Sequence, residues 1–337
     1  MVTRAEWRII NLSAVLFVLV WSPAVHCAEK LTSLNVGYSA ISFDQLPAWT
    51  AKETGLFAKN GLDVQLVYFT GGTTAVMALV SGNISISQNA GPEIANAQLG
   101  GSDPVLIAGG TVTLDYWLMS RSDIKGAEQL RGGSVAISRF GSVSDFIARF
   151  ALQRIGLVPD KDVAIVQIGT TTDRLAALAA RRVEATVLNP PTMFIAQKNG
   201  LNLIADVSAL GLAFQHAGAA TSRRFIREQP DIVRRYIKSH VEAVHRIKTD
   251  RETGLKVAAK YFGTRDRESM EKSYSRYISE DKLPRKQYPT LEGIKTVLGT
   301  LAERDPKART IKPEDLVDLR FIRELDQSGF IDSLYTR

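Results

Sequence analysis

Three glycine- and hydroxyl-rich turns stand where strand-like segments give way to helix-like ones: Gly71-Gly72-Thr73-Thr74, Gly141-Ser142-Val143-Ser144-Asp145 and Gly169-Thr170-Thr171-Thr172-Asp173. A helix start leaves unpaired N–H groups and a partial positive charge. A carboxylate, sulfonate or nitrate docks there without a full countercharge. Glycine lets a ligand approach the backbone, and a hydroxyl adds a bond. Serine and threonine also cap helices in every protein, so one turn alone signals little. Such turns in both halves of the chain point to binding. Tyr38, Phe43, Trp49, Trp117, Phe140 and Phe214 lie near the same edges and would supply the apolar walls of a small-molecule pocket. Trp117 stands at the expected first passage between the halves.

Catalytic constellations are sparse. The histidines are His26, His216, His240 and His245. The last two are five apart, off the four-residue spacing that stacks two zinc ligands on one helix face. The single cysteine, Cys27, lies near the N-terminus, which leaves no disulfide, thiolate metal site or cysteine nucleophile beyond it. Neither a phosphate-loop glycine-lysine motif nor a G-x-S-x-G elbow is present. Asp44, Glu93 and Asp115 could hold an amine, but helix capping and solvent exposure are the favoured roles. No cofactor and no metal are expected.

The chain has 337 residues, 45% of them hydrophobic, and a net charge of +7. That length favours two domains. No basic run is interleaved with aromatics, so nucleic acid is a poor partner. Arg4 and Arg8 precede an apolar run from Ile9 to Trp21, then Pro23 and the small residues Ala24 and Ala28. This order reads as a secretory signal over residues 1–28, and the run falls short of the ~20 residues of a membrane span. Cys27 is a possible lipid anchor.

Strand-like and helix-like segments alternate from Leu34 onward, which argues for parallel sheets covered by helices. The theme restarts at Arg121. The two halves echo each other: Ala78-Leu79 leads into Ser81–Ile86, as Ala177-Leu178 leads into Ala180–Ala185. Each strand then ends in a polar residue and a proline, Asn89-Ala90-Gly91-Pro92 and Asn189-Pro190. The expected division is a first lobe over 29–120, a second over 121–212, and a return to the first over 213–337. The return includes an amphipathic helix from Pro230 to Thr249 and a helical tail read as scaffold. Two such sheets face to face would form a cleft lined by strand ends, where open α/β sheets bind ligands.

Pro47-Ala48-Trp49, Glu53–Phe57 and Asn60–Val64 resemble the opening of the periplasmic binding proteins for nitrate, sulfonates, taurine and thiamine-pyrimidine precursors. Leu130–Ala136, Gly141-Ser142, Asp162-Val163 and Arg174–Leu178 resemble their second lobe. The resemblance implies an α/β, type II periplasmic binding fold with two crossovers. It implies a monomer that closes around one solute and delivers it to the permease of an ABC importer. Contacts are expected at Ser39, Asp44, Gly72, Thr73, Asn89, Trp117, Ser138, Phe140, Gly141, Ser142, Asn189, Pro190, Gln215 and His216. Ser85 and Glu184 replace an acid the family often carries, and Arg181 replaces a glycine. The residues that select a ligand match no subgroup. Two other readings are open: an enzyme of the fungal thiamine-pyrimidine type, and a sensory binding module.

Overall fold

The computed structural model describes residues 30–264 and 266–336. The expected leader over 1–28, with Cys27, lies outside them. Among the described residues no helix is long and apolar enough to cross a membrane.

The chain opens with β1 (Thr32–Tyr38), α1 (Leu46–Glu53), α2 (Leu56–Lys59), β2 (Leu62–Tyr68), α3 (Gly72–Val80), β3 (Ile86–Asn89), α4 (Gly91–Leu99) and β4 (Pro104–Gly109). It then crosses to β5 (Trp117–Ser120), β6 (Ser134–Ile137), α5 (Val143–Arg154), β7 (Ala164–Gln167), α6 (Thr171–Ala179), β8 (Ala185–Leu188), α7 (Thr192–Lys198) and β9 (Asn202–Asp206). It returns as β10 (Gly218–Ser222) and ends in α8 (Arg223–Glu228), α9 (Pro230–Thr249), α10 (Arg251–Phe262), α11 (Arg267–Tyr277), α12 (Leu291–Leu301), α13 (Arg320–Gln327) and α14 (Phe330–Tyr335). One helix expected over Pro47–Lys59 is two, because Gly55 takes a left-handed φ of 72° between α1 and α2.

Each lobe holds a five-stranded sheet, β2-β1-β3-β10-β4 in one and β7-β6-β8-β5-β9 in the other. In each, one strand runs against the rest: β10 against β3 and β4, β5 against β8 and β9. Each antiparallel strand immediately follows a crossover from the other lobe. The chain therefore exchanges strands between lobes, and the two sheets share one topology. The expected boundary at 120/121 falls too late. Trp117–Ser120 pairs with β8 and β9 in the second sheet, because the crossover is already complete at Tyr116.

Strands β3 and β8 are buried along their whole length, as expected of sheet centres covered by helices on both faces; β4, at the edge of the first sheet, is equally buried because the later chain bonds along it, with Asp318 N–H donating to Leu106 O at 2.8 Å. One apolar core packs Val233, Tyr236 and Ile237 of α9 against Leu34, Val36 and Ile107 of the first sheet. A second fills the second lobe beneath α6 and α7. A third runs from lobe to lobe through Leu114, Tyr116 and Phe214 of the crossovers. The crossovers pair with each other as well: Phe214 N–H donates to Val112 O at 2.9 Å, and Thr113 bridges Ala213. The passage between lobes is thus a braced pair of strands.

Candidate functional site

The crossovers floor a cavity of about 20 Å³, room for roughly one water. Phe43 and Asp44, just before α1, form one wall, and Asn189 and Pro190, just after β8, form the opposite wall. Thr111 and Asp115 come from the first crossover and His216 from the second. Ser273 and Tyr277 of α11, with Lys282 beyond it, close the remaining side. The tail read as scaffold therefore supplies three lining residues. Helix periodicity gives no warning of this, because Ser273 and Tyr277 belong to the buried stripe that packs α11.

Polar groups here are largely spoken for. Asp44 accepts from Thr111 Oγ1 at 2.7 Å and from Ser42 Oγ at 3.0 Å, with His216 Nδ1 3.3 Å away. Asp115 is held by Arg276 at 2.7 Å and Lys282 at 3.0 Å. Neither acid is the solvated cap that the sequence favours: Asp44 is half-buried and held by two hydroxyls, and Asp115 is half-buried and held by two cations. Two cavity-lining groups have no partner in hydrogen-bonding geometry, His216 Nδ1 and Tyr277 Oη. Burial raises the Tyr277 phenol, with the Asp44 charge adding to it. The Tyr277 hydroxyl is thus a standing neutral donor.

A larger groove of about 980 Å³ follows the seam where α3 and α4 of the first lobe meet α5 of the second. Across that seam the lobes touch. Thr73 Oγ1 donates to Phe140 O at 3.0 Å, and Asn96 Nδ2 to Gly141 O at 3.1 Å. Val143 N–H, at the first turn of α5, donates to Glu93 Oε1 at 2.9 Å. Glu93 thus places an internal carboxylate on a helix N-terminus of the opposite lobe. Its Oε2 is buried without a partner, and burial pushes the carboxyl up to about 7. Gly72 lies directly against it, and a side chain there would run into the carboxyl. Glu93 is another acid that sequence reasoning assigned to capping or solvent.

The fourteen sequence-expected residues scatter unequally. Asp44, Asn189, Pro190 and His216 meet at the cavity. Thr73, Phe140, Gly141 and Ser142 meet at the groove, and Gly72 backs it. Ser138, Ser142 and Ser144 form a triangle of hydroxyls 2.8–3.0 Å apart at the start of α5. The others serve their own lobe. Ser39 donates to Gln88 O at 3.2 Å, and Asn89 Nδ2 to Gly72 O at 3.0 Å. Gln215 is fully buried, bound to Ala217 O at 2.6 Å and Thr290 N at 2.7 Å. Trp117 is not a wall of the cavity or groove; it stands in β5, edge-on to Phe194 at 5.7 Å. Trp49 and Phe214 are likewise core. Aromatic type alone carries no signal that separates wall from core.

Twin sheets of one topology, two braced crossovers and polar groups gathered between the lobes define the type II periplasmic binding protein fold. The chain belongs to the NMT1-like family, whose model matches residues 27–261. It is 23% identical over 300 residues to YtlA of Bacillus subtilis, whose name marks it as a presumed binding protein, covering 85% of this chain and 89% of that one. A solved protein of Bordetella bronchiseptica RB50 superposes with a TM-score of 0.78 at 19% identity, covering 89% of this chain and 98% of the other. The alkanesulfonate-binding protein SsuA of Xanthomonas axonopodis pv. citri, solved with MOPS, gives 0.68 at 20% identity, covering 86% and 97%.

Proposed function

We propose that this chain is an extracytoplasmic solute-binding protein that captures a small molecule between its lobes and presents it to the permease of an ABC importer. The observation that carries this is the seating of polar groups from both lobes and both crossovers around one cavity, where two crossover strands join the lobes. Separating the lobes exposes Asp44, Asn189, His216 and Tyr277 together. Closing them desolvates whatever those groups hold. Solute binding to one lobe gains the contacts of the other only when they meet, and that difference shifts the population toward closure. The family and the name of the Xanthomonas relative support a small organic solute.

The test is a thermal-shift screen of sulfonates, carboxylates, nitrate and pyrimidines on the purified chain. Hits are followed by calorimetry and by small-angle scattering with and without solute. A one-to-one complex with a smaller radius of gyration is expected. Chemical turnover of the bound solute would instead establish an enzyme.

A further inference from the structure

The three glycine- and hydroxyl-rich turns are suited to an anion from solution, yet the folded chain meets each with a carboxylate of its own. At the start of α6, Asp173 accepts from Thr170 N–H at 3.1 Å and from Thr170 Oγ1 at 2.7 Å. In the turn before α5, Gly141 N–H donates to Asp145 at 2.9 Å. These two contacts are local, three and four residues apart, and of the ordinary capping kind. The third carboxylate arrives from far along the chain. Glu93 belongs to α4 of the first lobe, and its Oε1 accepts from Val143 N–H of the second lobe, 50 residues on, at 2.9 Å.

The same oxygen lies against the first residue of α3, because a methyl on Gly72 would overlap Glu93 Oε1. Gly72 and Val143 open α3 and α5, helices of nine and twelve residues. The carboxyl therefore sits where the positive ends of two helices, one from each lobe, come together. Glu93 is 4% exposed, its donor from α5 is a main-chain N–H, and its Oε2 is buried without a partner. Burying a carboxyl with one oxygen unpaired costs stability, which capping α4 alone does not require. The place is reachable from outside: Glu93, Thr73, Asn96 and Gly141 line a groove of about 410 Å³ between α3 and α4. A tethered, oriented group competes there at an effective concentration far above that of a dilute free anion.

We propose that Glu93 is the built-in occupant of an anion seat formed by the starts of α3 and α5, and that the captured solute meets this seam with a neutral or cationic group instead of an anion. The statement about the solute rests on the solute-capture reading; the statement about the seat does not.

The experiment is anion rescue on the full chain at pH 8, where the Glu93 carboxyl is ionised. Acetate replaces the atoms that Glu93→Ala removes, and sodium chloride at equal ionic strength is the control. Glu93→Ala is expected to melt below wild type and to regain about 3 °C or more, saturably, by about 100 mM acetate. Wild type and Glu93→Gln, whose seats are filled, are expected to move by less than about 1 °C. Gly72→Ala sets a methyl on the seat and should abolish the rescue in the Glu93→Ala background. A Glu93→Ala chain that acetate leaves unmoved overturns the proposal, as does a rescue that Gly72→Ala leaves intact. The Val143 amide resonance reports on the seat in wild type without any variant. A saturable shift of it with acetate or ethanesulfonate shows a seat open to solution and overturns the proposal even if Glu93→Ala fails to fold; an unmoved resonance supports it. The rescue needs no solute, so it is decided separately from the solute-capture reading.

Discussion

Glu93 is the residue whose chemistry departs furthest from its sequence appearance. In the helix position it holds, an acid in the first turn of α4, a carboxylate ordinarily faces water and favours the helix dipole. Here it is buried between lobes, titrates near 7 instead of its ordinary 4.5, and carries one unpartnered oxygen. Between those two values the folded chain keeps a proton that the unfolded chain has released. The Glu93 contribution to stability is therefore full below about 4.5, declines as pH rises, and is lost above about 7, with an upper size on the order of 3 kcal/mol. Glu93→Gln keeps an acceptor for Val143 N–H and removes the titration. Urea unfolding at pH 5, 6, 7 and 8 should show a declining stability in wild type that is flatter in the variant. Parallel pH slopes would show that the carboxyl is not the group responsible.

At the scale of elements, the first sheet is fixed by how closely the returning segments approach it. β10 slots antiparallel between β3 and β4, and the segment after α11 lies against the end of β4, where Gly109 N–H donates to Gln287 O at 2.7 Å. That approach is possible because residue 109 has no Cβ: a methyl there overlaps the Tyr288 carbonyl, a main-chain atom that cannot swing aside. His240 of α9 braces the same point, its Nε2 within 3.1 Å of Gly109 O and 3.0 Å of Gln287 Oε1. Gly109→Ala should lower stability by roughly 1–3 kcal/mol. Gly299→Ala, at an exposed position of α12 with open space around it, should instead be neutral or add up to about 1 kcal/mol. Denaturation midpoints of the two variants check both signs.

For the whole molecule, the contacts that hold the lobes together lie partly in the tail. Lys198 at the end of α7 reaches Asp266 at 3.2 Å and Glu268 at 2.9 Å at the start of α11. Lys272 of α11 lies 4.3 Å over the Phe194 ring. Exposed pairs of this kind are weak singly and are screened by salt. They can still bias a population of open and closed forms that lie close in energy. Lys198→Glu sets like charges against Asp266 and Glu268. It should raise the radius of gyration in small-angle scattering at low salt, with the difference from wild type shrinking at 0.5 M NaCl. An unchanged radius at low salt would show that the seam around Glu93 and Thr73 holds closure by itself.

The alternation of strand and helix, the echo between the halves and the glycine stops were enough to specify two α/β lobes. These are local signals, written in periodicity and backbone preference. The twenty residues of α9, from Pro230 to Thr249, could be read off their apolar stripe for the same reason. Placement across the lobes was not legible. Trp117, expected as a pocket wall from its place beside the crossover, is carried by strand pairing into the second sheet against Phe194. Ser273, Tyr277 and Lys282 belong to the tail expected to be scaffold, yet the packing of α11 and the segment after it delivers them to the cavity. Arg174 enters the sequence reading only within the family-like run Arg174–Leu178, and the carbonyls its guanidinium meets depend on which strand ends lie around it. Periodicity and breakers place most of the strands and helices, the split of Pro47–Lys59 at Gly55 excepted. Which charges are buried and which are paired follows from packing, because both depend on neighbours far away along the chain.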